Sequence, residues 1–160
     1  MLSQTAAPIV PCSIVLSDLR LSQRVDVADL LGSIFVINSD RLSRYWADPG
    51  GFDRFVAAEQ EIASLVLGLR DRGWEAALSP RISRGGVFKE FSDVAREVWF
   101  RARELAKRGP PDRPRTMSLV FPEHLLLSIA ERAELRIVQR LLSSGLRVDS
   151  LRQDVEHGIE

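Results

Sequence analysis

Glu123 and His124 are the two residues whose types most invite a chemical reading. A carboxylate and an imidazole can trade a proton as an acid–base pair. Adjacency argues against it here: consecutive side chains on a helix point about 100° apart, so these two could act together only through a third partner. Metal chemistry is no better served. The histidines, His124 and His157, lie far apart, Cys12 is the single cysteine, and no Cys/His spacing fits a zinc site. Neither lysine, Lys89 or Lys107, follows a glycine, so no phosphate-cradling P-loop is expected. No Ser, His and Asp set stands out as a triad. The expectation is a non-enzyme without metal or cofactor.

One charged cluster remains. Arg101, Arg103, Lys107 and Arg108, with Arg113 and Arg115 beyond, crowd the end of one helical stretch against Glu104 and Asp112. They are candidate phosphate contacts, and equally a set of cations that complements a helix C-terminus. Formal net charge is +0 over 160 residues, so no overall field selects nucleic acid or a membrane surface. Nucleic acid is thus disfavoured, and any such binding is expected to be weak and salt-sensitive. Apolar residues make up 45 %, enough for a packed core. A lone cysteine suits a reducing compartment, and the N-terminus carries no basic n-region, so the expected location is the cytoplasm. No apolar run is long enough to span a bilayer. Cys12 reads as a small apolar residue near a mobile N-terminus.

The elements that must position these residues read as mostly helical. "SIFVIN" (33–38) is the most β-like run, and reads either as a strand or as the close of a helix. "WADPGGF" (46–52) is a turn. From Asp53 a single long helix is expected to Gly73, with Phe55, Ala58, Ile62, Leu65, Val66 and Leu69 as its apolar stripe. "SPRISRGG" (79–86) is the natural linker. Ser92 is an N-cap with Phe91 at the staple position, and Ala95, Val98, Trp99, Ala102, Leu105 and Ala106 form one buried stripe. Pro122 suits a first helical position, and periodicity alone predicts one helix from 122 to 143. Gly145 ends it. Asp149 or Ser150 then caps a final helix with Leu151 and Val155 inward.

Three pieces in order, "FSDVAREVWFRARELA", "EHLLLSIAE" and "VQRLLSSGLRVDSLRQDVE", resemble one repeat of the Clp N-terminal domain, the helical module at the front of ClpA, ClpB and ClpC unfoldases. The resemblance covers residues 91–157. It implies an all-α domain of about eight helices arranged as two repeats about a pseudo-twofold axis. Sliding the second half back until Leu126-Leu127 fall on Leu30-Leu31 puts Leu151 on Phe55 and Asp149 on Asp53. This suggests a degenerate first repeat over 26–78, a linker at 79–87 and a fuller repeat over 88–160, and it leaves 1–25 as an N-terminal segment of unknown role. On that register Val27-Ala28 stand where the second half has Glu-His. The family also breaks the leucine-rich helix near Glu131–Glu134; no Gly or Pro marks that break here, and the resemblance still favours two helices.

The resemblance also assigns roles. In the family the His packs against its own helices. The Glu lies at an exposed helix start, where in some ClpC-type members the equivalent carboxylate contacts phosphoarginine, a guanidinium partner it can hold in a bidentate pair. Glu123 is thereby marked as ligand-facing, and Glu123→Gln is expected to weaken binding with little change in melting temperature. Pro122 replaces the family's small hydroxyl residue. The plainer reading is a carboxylate favoured by the helix dipole. Phe91 and Arg96 match a surface that docks small cyclic peptides in actinobacterial ClpC proteins. The implied function is a protein-binding module in regulated proteolysis, acting as adaptor, regulator or decoy. Its implied partners are a Clp ATPase, an adaptor or arginine-phosphorylated substrates. The alternatives are a small helical nucleic-acid-binding regulator and a structural protein that reuses the fold.

Overall fold

Ser92 caps its helix as its position suggests: its side-chain oxygen accepts the Ala95 N–H at 3.2 Å. That helix belongs to a computed structural model that describes residues 2–76, 89–108 and 119–159. Among those residues the order is α1 (Ile9–Leu19), α2 (Val27–Leu42), a 3-10 turn (Ser43–Tyr45), α3 (Gly51–Ala58), α4 (Ala63–Arg72), α5 (Asp93–Lys107), α6 (Pro122–Ala130), α7 (Arg136–Ser143) and α8 (Val148–His157). The fold is all-α: three isolated bridges, and no strand, occur among the described residues. The linker at 79–87 and the basic residues Arg113 and Arg115 lie outside them.

The run at 33–38 is helix. It belongs to α2, which packs on α1, α3, α4, α5 and α6. A helix covered on several sides is apolar nearly all round, so the 3.6-residue period that marks a surface helix fades. Leu30, Leu31, Ile34 and Phe35 are all buried. α6 is the other central helix, buried along its whole length between α2, α5, α7 and α8. Cys12 is not at a mobile end. It is buried in α1, where burial pushes its thiol up to about 12.

The long helix expected from 53 to 73 is two helices. Glu59 leaves the helical region at φ −82, ψ 93, and its carbonyl accepts the N–H groups of Ile62 and Ala63 at 3.1 and 2.8 Å. Its buried carboxylate takes Arg140 of α7 at 2.9 Å. The break lets α3 pack towards α7 while α4 packs towards α1. A single straight helix could not serve both. The stretch 122–143 is broken as well, at 131–135, where Arg101 holds Glu131 and Arg132 holds Glu97, both at 2.8 Å. Leu151 and Val155 do face inward, but the cap residue of α8 is Arg147 with no side-chain capping bond. Trp99 is half-buried at the rim of the α5 stripe, whereas Ala95, Val98 and Ala102 are fully buried.

Two short parallel contacts tie helix heads together. Val25, just before α2, bridges Phe91, just before α5. Val25 donates to the Glu90 carbonyl at 2.9 Å and accepts from Ser92 N at 2.8 Å. Leu2, upstream of α1, bridges Val120, just before α6, with Ser3 N donating to the Val120 carbonyl at 3.0 Å. The caps of the central helices are alike too. Asp29, in the first turn of α2, accepts the Asp26 N–H at 2.9 Å, and His124, in the first turn of α6, accepts the Phe121 N–H at 2.9 Å. In both, the acceptor lies three residues after the donor.

Where the halves meet, the turn after α7 seats on the turn before α3. Ala47 N donates to the Gly145 carbonyl at 3.0 Å, and Trp46 Nε1 to Ser144 Oγ at 2.8 Å. The Trp46 ring stacks on Phe52 at 4.5 Å. Gly145 carries φ +99, a left-handed geometry suited to glycine after a helix. Gly51 is needed for space: a Cβ there would come within 2.8 Å of Trp46 Cδ1 and 3.0 Å of the Ser144 carbonyl. Gly51→Val is expected to cost about 1–3 kcal/mol by overpacking. A denaturant melt equal to wild type would show that the seam yields without cost.

Candidate functional site

Phe121 sits extended at φ −99, ψ 162 and Pro122 opens α6, so Glu123 and His124 fall in its first turn. Both side chains are buried. His124 Nδ1 accepts a main-chain N–H, so the ring proton of the neutral form sits on Nε2. Burial lowers the imidazole to about 4. Packing of His124 against its own helices agrees with the expectation.

Glu123 does not agree with it. The residue is 0 % exposed, not solvent-facing. Arg41, near the end of α2, donates Nε to Oε1 at 2.6 Å and Nη2 to Oε2 at 3.2 Å. Arg44 approaches Oε1 at 3.8 Å. A guanidinium partner was the chemically apt match, and the chain supplies it itself, from the other half of the sequence. The pairing extends outward. Arg44 donates to the Tyr45 hydroxyl at 2.8 Å, and that hydroxyl donates to Asp154 at 2.7 Å. Burial first, and the bond to Asp154 second, push the Tyr45 hydroxyl upward. Arg41 also lies over the Phe121 ring, 5.5 Å from its centroid. Glu123→Gln is therefore a stability variant, and the expectation of an unchanged melting temperature is withdrawn. Glu123 and His124 form no pair with each other: one accepts from Arg41, the other from Phe121 N.

A second buried carboxylate is held in the same way. Asp29 takes Arg20 through two bonds of 2.8 Å each. Neither Arg41 nor Arg20 stood out in the sequence. The available signal was Asp26 followed three residues later by Asp29, the spacing of a capping box ahead of an apolar run.

Phe91 and Arg96 come together at one groove of about 690 Å³. Val10 and Ile14 of α1 and Phe91 form its apolar lining, and Arg24, Lys89, Glu90, Asp93 and Arg96 surround them. Phe91 packs against Trp99, with ring centroids 6.4 Å apart. Arg96 pairs with Asp93 and remains largely exposed. Lys89 reaches Asp18 at 2.7 Å. Of the described basic residues, Arg101 and Arg108 line one small cavity with Glu131, Arg152 and Glu156. Arg101 is engaged by Glu131 and Glu104, while Arg103, Lys107 and Arg108 are exposed on the last turns of α5. Among the described residues no three His, Cys, Asp or Glu side chains gather to hold a metal ion. No described helix is long and apolar enough to cross a membrane. Comparison with known proteins found no matching family model, no matching curated protein and no matching solved structure.

Proposed function

We propose that this chain is a non-enzymatic protein-docking module, built on the plan of the Clp N-terminal domain and serving regulated proteolysis as adaptor, regulator or decoy. The observation that carries the docking reading is the groove beside Phe91 and Arg96. It pairs an apolar lining with a charged rim, the composition of a peptide site. Two of the three residues that the sequence resemblance assigned to ligand binding line it. The third, Glu123, is withdrawn from the binding set, because its carboxylate already holds Arg41.

The reciprocal head-to-head contacts support the two-repeat plan. Leu2 pairs with Val120 as Phe91 pairs with Val25, so each half places the segment before its first helix against the segment before the other half's second helix. On this plan α1, α2, the 3-10 turn and α3 answer to α5, α6, α7 and α8. The first unit then takes in α1 instead of starting at residue 26. The break near 131–135 fits the same plan.

The test is affinity capture from native lysate by the intact chain and by Arg96→Glu. A Clp ATPase, an adaptor or proteolytic substrates should be retained by wild type and lost by the variant. Retention of nucleic acid would favour a helical nucleic-acid regulator acting through Arg103, Lys107 and Arg108. Capture of proteins unconnected with proteolysis would leave a structural interaction protein. Any ATP or peptide turnover that survives repurification would overturn the non-enzymatic part.

A further inference from the structure

Val25 uses its N–H on Glu90 and its C=O on Ser92, the two neighbours of Phe91. In a parallel pairing of this kind the bridged residue's own N–H and C=O point to the opposite edge. Among the described residues neither main-chain group of Phe91 has a hydrogen-bond partner. The segment Lys89–Phe91 is non-helical and lines the groove just described. An unpaired edge beside an apolar slot is a template for another strand.

We propose that the groove receives an extended segment of a partner polypeptide. The segment adds to the edge at Phe91 through its main chain and seats one apolar side chain between Val10, Ile14 and Phe91. This rests on the docking reading above and specifies its mode. A helical ligand is disfavoured, because its main-chain groups are consumed internally and cannot satisfy Phe91. The rim holds exposed charges of both signs, Arg24 beside Glu90 and Arg96 beside Asp93, so it repels neither sign strongly. Selection falls on the extended main chain and on the apolar side chain. Phe91 offers one C=O to the ligand, so one peptide N–H of the ligand should matter.

The experiment selects displayed random octapeptides on the intact chain. The best binder, made as an acetylated, amidated peptide, is titrated by fluorescence polarisation. It is then remade with a single N-methyl group at each position in turn. N-methylation at one position should weaken binding about tenfold or more, and the other positions should change little. Val10→Glu should weaken binding by a similar factor. Hydrogen exchange at the Phe91 amide should slow on binding, a readout that needs no variant. Loss with Val10→Glu but indifference to every N-methyl group would sink the strand mode and leave the docking reading standing. Binding that ignores Val10→Glu, or selection that yields no binder, would overturn both.

Discussion

Arg41→Ala is expected to destabilise the fold by about 3–5 kcal/mol, the cost of leaving a buried charge without its partner. The Glu123 side chain is 0 % exposed and accepts both bonds from Arg41, at 2.6 and 3.2 Å. Arg44, at 3.8 Å and already donating to Tyr45, is too far away to replace them. Glu123→Gln should cost less. It removes the buried charge, and the Arg41 side chain, 27 % exposed, can turn towards water. Combining Arg41→Ala with Glu123→Gln should recover part of the loss, since the neutral amide leaves no buried charge unpaired. The measurement is urea unfolding of the four proteins as a double-mutant cycle, which isolates the pairwise coupling. A loss below about 1 kcal/mol for Arg41→Ala would mean that water reaches Glu123, and would return that carboxylate to the list of candidate ligand contacts.

Stability should also fall as the solution is acidified from about pH 6.5 to 4, by about 3 kcal/mol from His124 alone. Burial lowers the folded-state imidazole from 6.5 to about 4. Between those values the unfolded chain takes up a proton that the folded chain refuses, so lowering the pH favours unfolding. The contribution is fully present above 6.5 and lost below 4. Protonating Nδ1 would also remove the acceptor that caps α6 at Phe121 N. Other carboxylates add their own acid dependence, so the comparison is with His124→Gln. Glutamine in this position of the first turn can still accept the Phe121 N–H, and it does not titrate here. Across urea midpoints at pH 7, 5.5 and 4.5, wild type should lose more stability than His124→Gln. Parallel pH profiles would assign the acid sensitivity elsewhere.

How much was legible depended on how local the cause was. Ser92 as a cap and the stripe from Ala95 to Ala106 were readable, because a short side chain before an amphipathic run needs only its own helix to act. Pro122 as a first residue, Gly145 as a terminator and the inward Leu151 and Val155 were readable for the same reason. The helical character of 33–38 was not settled in advance. α2 is buried on several sides, and an all-round apolar run has no period to read.

The sequence by itself determined the mostly helical character, the helix ends marked by Ser92, Pro122 and Gly145, and the inward residues Ala95, Val98, Ala102, Leu151 and Val155, since these follow from main-chain geometry and nearest neighbours. Only the tertiary structure decided what Glu123 does. Its partner, Arg41, lies in the other half of the chain, and a carboxylate at a helix start looks the same in sequence whether it meets solvent or a guanidinium. The break at Glu59, held by Arg140, and the contact of Val25 with Phe91 are of the same kind. Each is a contact between distant residues, and no local preference encodes which distant residue will arrive.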